Sequence, residues 1–344
     1  MRILIADSVG PGALIGAQLI DAGKDVTFLD SARRVMARMF SPLELRSDLG
    51  NFRQHAHHIE DAEIFSAYDV IILAVRANEI SALAEVLPRA VGPGTVILSL
   101  TRGIDHVALL EAACYGAGIL DGLHDIVVVA GGASDPARHM GGTNQILIGA
   151  RTSSEKEAAQ MVAGLFGATD LDVRIVTDLE HQRWEQMVRA VAVVGLGALM
   201  QVDLERIGSF DADATHLWAL VLECAAVSDA AGYGIDVPEL SQFMEQLPNS
   251  VPAVIRSMLD GVAKGDLAEI KEMIEQMFRA ARFANVATPI LDIIHTALAA
   301  RVAQAKMNAN IEMAALRSPV PQAPPPQQAG WFSRRWSFRS TGGR

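Results

Sequence analysis

Aromatic residues and cysteine are scarce in this chain of 344 residues. Phe, Trp and Tyr make up 5% of the chain while 50% of it is hydrophobic, so a core must be mainly aliphatic. The two cysteines, Cys114 and Cys224, lie far apart and have no C-x-x-C spacing. We interpret both as buried thiols of a protein in a reducing compartment.

Long hydrophobic runs are also absent. The longest apolar stretch without a charge, residues 190–200, is too short to span a bilayer, and no secretory segment precedes the first predicted strand. We therefore expect a soluble, cytoplasmic protein.

The net charge is −11, and the last 27 residues hold four arginines and no acid, which leaves −15 on residues 1–317. A body of this charge repels nucleic acid.

The first thirty residues have the pattern of a dinucleotide-binding βαβ unit. An apolar run at residues 2–6 opens directly into turn residues, which is typical of a buried parallel strand. Residues 13–22 have helical periodicity, Gly23 suits a helix end, and residues 25–30 form a second strand that ends in Asp30. Such a unit presents backbone N–H groups at the helix N-terminus to a pyrophosphate.

The glycine motif of this unit is incomplete. Its G-x-G-x-x-G positions fall on Asp7, Val9 and Gly12, so two of three glycines are missing, although Gly10 offers a displaced substitute. Asp30 lies about twenty residues further on, where a carboxylate binds an adenosine ribose. The residues that we predict to bind a cofactor here are Asp7, Ser8, Val9, Gly10, Gly12 and Asp30.

Strand and helix alternate up to about residue 176, as a doubly wound sheet requires. The further predicted strands are residues 69–75, 95–100, 125–130 and 145–149. The predicted helices after Thr177 are residues 180–200, 215–232, 238–246, 254–262, 267–285 and 289–316. We thus predict an α/β fold with a Rossmann-type dinucleotide-binding domain (1–177) and an all-helical domain for substrate binding and dimerisation (178–317). The cleft between them, at the carboxyl edge of the sheet, is the expected site.

Two segments leave alternatives open. His55, His57 and His58, followed by Glu60 and Asp61, allow a metal cluster, but we favour a solvated loop or edge hairpin and expect no metal. Residues 318–344 are predicted to form a disordered, proline-rich tail with an Arg/Trp tip. That tip suits an anionic membrane surface or an acidic partner, while a solvated tail without function is the alternative that we favour.

Several segments, in order, resemble the ketopantoate reductase family over about residues 1–300. They are residues 1–5, 22–27, 69–77 (DVIILAVRA), 92–97 (GPGTVI), Trp184-Glu185, 223–235 (ECAAVSDAAGYGI), 257–259, 268–270 and Ala287-Thr288-Pro289. The resemblance implies a Rossmann domain followed by a helical domain. It also implies a nicotinamide cofactor in the cleft and reduction of a 2-oxo acid or similar carbonyl.

The resemblance carries over to some site residues and not to others. The family's catalytic lysine, which donates the proton, is replaced by Gln186, and two asparagines further along that helix are replaced by Ala190 and Val194. The face at these positions is therefore largely apolar. The asparagine of the family's asparagine-glycine pair after the fourth strand is replaced by Arg102.

Two residues match the family fully: Ser257, which there bonds substrate, and Glu269, which bridges substrate and cofactor. Arg76 stands for the family's lysine near the adenosine. The family's arginine that favours NADPH is replaced by Asp30-Ser31, although Arg33 and Arg34 lie close enough in sequence to compensate. Because Asp30 would repel a 2′-phosphate, we expect NAD(H) to be favoured and NADP(H) to remain usable.

Three functional hypotheses follow. The first is an active NAD(P)H-dependent oxidoreductase with a substrate other than ketopantoate, whose catalytic candidates are Arg102, Gln186, Ser257 and Glu269. Since arginine is a poor acid, the proton would come from water or from a histidine such as His124, His139 or His181. The second is an inactive binding or regulatory protein, and the third is a lyase or isomerase that reuses the cleft. For the active protein we expect a small-molecule substrate and a homodimer.

Overall fold

The computed structural model describes residues 1–39, 41–131, 136–200, 211–247 and 251–317. Residues 1–302 belong to one compact unit, and the described residues 303–317 belong to a second. The predicted tail, residues 318–344, lies outside the described residues. Among the described residues, no helix has the length and hydropathy needed to cross a bilayer.

The core of the first unit is a mainly parallel sheet, in the order β12-β11-β8-β7-β6-β1-β2-β5. A smaller sheet has the order β4-β3-β10-β9. The strands of the described residues are β1 Arg2–Ala6, β2 Asp25–Leu29, β3 Leu43–Ser47, β4 Gly50–Gln54, β5 His57–Ile59, β6 Val70–Leu73, β7 Val96–Ser99, β8 Gly118–His124, β9 Val128–Val129, β10 Ala137–His139, β11 Gln145–Gly149 and β12 Asp172–Val176. The predicted α/β class with a Rossmann-type sheet is confirmed.

The sheet buries both faces, as parallel sheets do. β1 pairs in parallel with β2 and β6, which places Ile3 opposite Val26 and Val70. Ile3 and Ile5 pack into one layer of the core, while Leu4 and Ala6 pack into the layer on the other face. This alternation explains why the whole run is apolar.

One predicted strand was misplaced. We predicted residues 125–130 as the fifth strand of the main sheet, but the strand beside β7 is β8, which ends at His124. Val128 and Val129 form β9 in the smaller sheet instead. The main sheet is also not parallel throughout, because β11 runs antiparallel to β8.

The helices after β12 agree closely with the predicted segments and pack around a separate apolar cluster. The helices of the described residues are α1 Pro11–Asp21, α2 Ala32–Arg38, α3 Ile80–Val86, α4 His106–Ala113, α5 Ser153–Leu165, α6 Leu179–Met200, α7 Asp211–Ala230, α8 Val237–Gln246, α9 Ala253–Ala263, α10 Ala268–Phe283 and α11 Pro289–Arg317. α6 crosses both α7 and α9 and supplies the centre of this cluster.

Within the histidine-rich segment, His57 and His58 lie in β5, at the edge of the main sheet. His58 Nδ1 lies 2.7 Å from Asp30 Oδ2, and His57 Nδ1 lies 3.4 Å from Thr27 Oγ1. The described residues hold no group of three His, Cys, Asp or Glu placed to bind a metal ion. Cys114 and Cys224 are both buried and free.

Candidate functional site

Four neighbouring parallel strands deliver polar side chains to one edge of the sheet. Asp7 follows β1, Arg76 follows β6, Arg102 follows β7, and His124 ends β8. The chain leaves β1 for β2 on one side and reaches β6 on the other, so this edge is a topological switch point, where ligands bind in open α/β sheets. All four residues line a cleft of about 700 Å³.

The helical part closes the other side of this cleft. Ser257 lines the cleft from α9, and Glu269 lines it from the first turn of α10. Arg102 Nη1 donates a hydrogen bond of 2.7 Å to Glu269 Oε1, and Arg76 pairs with Asp266. Glu269 thus pairs across the cleft rather than with Lys264 or Lys271. Arg102, Ser257 and Glu269 therefore line the same cleft.

Two buried nitrogens in this cleft lack partners among the described residues: Arg102 Nε and His124 Nδ1. A buried polar atom without a partner is costly, so a ligand that bonded them would be stabilised. Burial, together with the charges of Arg102 and Arg183, lowers the pKa of His124 to about 3. His124 is therefore a neutral imidazole at neutral pH and cannot act as a cationic acid.

Gln186 does not line this cleft. It lies in a neighbouring pocket of about 460 Å³, which shares His124 with the cleft. Ala190 and Val194, on the same helix, are buried in the apolar cluster of the helical part. Neither His139 nor His181 lines the cleft, which leaves His124 as the one histidine of the three there.

The turn after β1 has the shape of a pyrophosphate site. A Cβ on Gly12 would lie 2.2 Å from the carbonyl oxygen of Asp7, so only glycine allows the helix to start this close to the strand. Asp7, Val9 and Gly10 line the cleft, and Ser8 is buried behind them. The N–H groups of Val9 and Gly10, however, already donate to the Asp7 carboxylate. The backbone of the turn thus has the shape that a dinucleotide pyrophosphate needs. The Asp7 carboxylate, however, occupies the two amides and would repel a phosphate while it stays there.

Asp30 is not placed to bind a ribose. Its side chain is fully buried, accepts a hydrogen bond of 3.2 Å from Ser8 N, and lies 2.7 Å from His58 Nδ1. Burial would raise the pKa of Asp30, but the hydrogen bonds from His58 and Ser8 outweigh it, so the pKa is lowered. Asp30 is thus an ionised support beneath the turn, and Arg34 is the residue of α2 that lines the cleft.

A buried arginine that sequence reasoning missed holds the loop carrying Arg102. Arg183 Nη1 donates to the carbonyls of Thr101 and Gly103, each at 3.0 Å, and Nε donates to Asp121 Oδ2 at 2.9 Å. From α10, Gln276 Oε1 accepts a hydrogen bond of 2.7 Å from Ile104 N. The signal in the sequence was an arginine on the buried face of α6.

Gly103 is required in this loop. Its φ is +101°, and a Cβ there would lie 2.3 Å from Gln276 Oε1. Both conditions favour glycine.

A cavity of about 730 Å³ lies beside Arg183, but none of the predicted site residues lines it.

A Rossmann-type sheet joined to a helical part, with a polar cleft at the switch point, defines the class as a Rossmann-type α/β protein. Sequence comparison identifies the family within that class. The model described as ketopantoate reductase PanE/ApbA matches residues 8–152, and the model of its C-terminal part matches residues 178–302. The chain belongs to the ketopantoate reductase family.

Similar proteins match along nearly their whole length. An uncharacterised oxidoreductase of Bacillus subtilis, YkpB, is 23% identical over 87% of this chain and 98% of its own. A 2-dehydropantoate 2-reductase of Lactococcus lactis is 23% identical over 86% and 96%. D-mandelate dehydrogenase, solved with NADH and anilino(oxo)acetate, is 19% identical with a TM-score of 0.78, over 88% of this chain and 98% of its own. At this identity the structural likeness shows the fold.

Proposed function

We propose that the protein is an NAD(P)H-dependent oxidoreductase that reduces a 2-oxo acid or related carbonyl, with a substrate other than ketopantoate. The observation that carries this proposal is the arrangement of Arg102. It pairs with Glu269 in the cleft that Ser257 also lines, and its buried Nε has no partner among the described residues. Guanidinium groups bind carboxylates in two-pronged pairs, so a 2-oxo acid supplies the missing acceptor.

The cofactor, when bound, supplies the hydride, and the residues of the cleft supply orientation and charge. Arg102 holds the substrate carboxylate and stabilises the developing alkoxide, because its positive charge lies in a mostly buried site. Ser257 donates a neutral hydrogen bond. Since His124 is neutral and arginine is a poor acid, the proton comes from water.

NADH is proposed as the favoured cofactor, for a reason that differs from the sequence-based one. Arg34 is the cation of α2 at the adenosine end, but its Nη1 lies 2.8 Å from Asp7 Oδ1 and 3.5 Å from Asp30 Oδ1. The fully buried Asp30 carboxylate therefore compensates this arginine even when Asp7 is displaced, and a 2′-phosphate would add another anion there. Calorimetric titration with both cofactors tests the preference, and tighter binding of NADPH would contradict it.

The activity is tested by screening 2-oxo acids and small ketones with NADH and NADPH. For a substrate that is turned over, Arg102→Ala should lower kcat/KM by about 10²-fold or more, because an arginine clamp supplies both orientation and charge. Ser257→Ala should cost less, since one neutral hydrogen bond contributes about 0.5–1.5 kcal/mol. The control is Arg53→Ala, an exposed arginine of the smaller sheet that pairs with Glu44. Equal activity of the Arg102 and Arg53 variants would contradict the role of Arg102.

A catalytically inactive binding protein is the second candidate. It is favoured by the position of Gln186, which replaces the family's lysine and lies outside the cleft. Binding of a nicotinamide dinucleotide without turnover of any compound in the screen would support it.

We also propose a homodimer, since a similar reductase from Staphylococcus aureus, 16% identical with a TM-score of 0.73, is described as dimeric. Sedimentation equilibrium tests this.

A further inference from the structure

The turn between β1 and α1 holds an anion of its own. The Asp7 carboxylate accepts hydrogen bonds from Val9 N at 3.1 Å through Oδ1 and from Gly10 N at 3.0 Å through Oδ2. Arg34 Nη1 donates to Oδ1 at 2.8 Å. One negative group is thus bound by two backbone amides and one guanidinium, which is the donor set of a phosphate-binding nest.

The backbone of Asp7 is shaped for this contact. Its φ is +78°, a left-handed conformation that aspartate and asparagine tolerate better than most residues do. The side chain folds back over its own turn, and a Cβ on Gly10 would lie only 2.8 Å from Asp7 Oδ2. A glycine at position 7 would keep the same backbone and remove the carboxylate.

The position of this carboxylate coincides with the place that the fold offers to a pyrophosphate. In a Rossmann-type unit the pyrophosphate receives hydrogen bonds from the first turn and from the N-terminus of the helix that follows. Asp7, Val9 and Gly10 line the cleft at that point, and α1 begins at Pro11. A bound pyrophosphate would need the same two amides and would also be repelled by the carboxylate.

We propose that the Asp7 carboxylate is an intramolecular competitor for the pyrophosphate, and that a dinucleotide binds only when it displaces this side chain from the amides of Val9 and Gly10. This inference rests on the proposed function, because it concerns the cofactor site of that activity. Asp7 then sets cofactor affinity directly.

Calorimetric titration of the full chain with ADP-ribose and with NADH tests the proposal, with wild type, Asp7→Gly, Asp7→Asn and the control Asp25→Asn. Asp25 is exposed at the start of β2, at the opposite edge of the sheet. Asp7→Gly should bind both ligands at least about 10-fold more tightly, because each charge-assisted hydrogen bond gained is worth roughly one order of magnitude. Asp7→Asn should show a smaller gain, because its amide oxygen can still accept from the turn. Asp25→Asn should match wild type.

An NMR measurement on ¹⁵N-labelled protein accompanies the titration. Without ligand, the amide resonances of Val9 and Gly10 should differ between wild type and Asp7→Gly. Addition of ADP-ribose should shift these resonances further in both proteins. Equal affinity of wild type and Asp7→Gly for both ligands would overturn the inference, while NADH binding by both would leave the proposed function intact. Tighter binding of ADP-ribose by Asp7→Gly, with no binding of NADH or NADPH, would support the role of Asp7 and contradict the proposed function.

Discussion

Replacement of Arg183 by alanine should destabilise the protein more than any change in the cleft. The guanidinium is 5% exposed and bonds Asp121 and the carbonyls of Thr101, Gly103 and Gly122. Its removal leaves three carbonyls without this donor and the mostly buried Asp121 carboxylate with His106 as its remaining side-chain partner. Loss of one partner of a buried ion pair typically costs about 3–5 kcal/mol, a large part of a typical total stability of about 5–15 kcal/mol.

The assay is urea unfolding followed by circular dichroism, with Arg174→Ala as the matched control. Arg174 also pairs with an aspartate of the main sheet, Asp172, but both side chains are largely exposed. The control should unfold at the wild-type urea concentration, since exposed pairs contribute little. Arg183→Lys should fall between wild type and alanine, because an ammonium has three donors and lacks the planar fork. The lysine variant also provides a measurement if the alanine variant does not fold.

The pH dependence gives an independent check of the same reasoning. Burial would raise the pKa of Asp121, but the charge of Arg183 and the hydrogen bond with His106 lower it. This stabilisation is present above the unfolded pKa and is lost as the pH falls through the lowered folded pKa. Without Arg183 the carboxyl is protonated more easily, so the deficit of Arg183→Ala should shrink between pH 7 and pH 4. An unchanged urea midpoint, or a deficit that does not depend on pH, would refute the assignment of Arg183 and Asp121 as a buried pair.

Three further predictions concern single residues. Gly12→Ala should destabilise the fold by about 1–3 kcal/mol or more, because its Cβ would lie 2.2 Å from a backbone oxygen. Gly164→Ala in α5 is the control, since a Cβ there meets nothing within 4 Å and should stabilise the helix slightly. Thermal unfolding of the two variants tests the difference. The pKa of His124 is lowered from 6.5 to about 3. Below pH 6.5 the free energy of unfolding of wild type should therefore fall by about 1.4 kcal/mol per pH unit because of this residue. His124→Gln should remove this pH dependence in urea titrations. Gln186→Lys should not create rapid ketopantoate reduction, because position 186 faces the neighbouring pocket; a large gain in kcat would contradict this placement.

The helices after β12 were predictable because their apolar periodicity is long and they are separated by glycine, proline, aspartate or asparagine. α8 was predicted at residues 238–246 and begins one residue earlier, at Val237. β8 was missed because its sequence, GILDGLH, holds a carboxylate and two glycines where a buried strand is usually apolar. Asp121 is tolerated there because Arg183, distant in sequence, neutralises it. A pairing of that kind cannot be read from local sequence.

The site was predictable at the level of which residues meet. Arg102, Ser257 and Glu269 line one cleft, as the order of strands and the family resemblance implied. The direction of side chains was not predictable. Gln186 faces the adjoining pocket, and Asp30, expected at the ribose, is buried with His58 because β5 pairs with β2. Both outcomes depend on tertiary packing, which the spacing of residues along the chain does not encode.

The loop that carries Arg102 is held by hydrogen bonds with Arg183 on α6 and Gln276 on α10, and neither side chain lines the cleft. For protein engineering, a library at residues that line the cleft should therefore behave differently from a library at the residues that hold the loop. Randomising Ser257, Arg256 or Val127, which line the cleft, should alter substrate range while the arginine keeps its position. Randomising positions 183 and 276 should yield mostly inactive clones, although a survey limited to residues near the ligand would not mark them as sensitive.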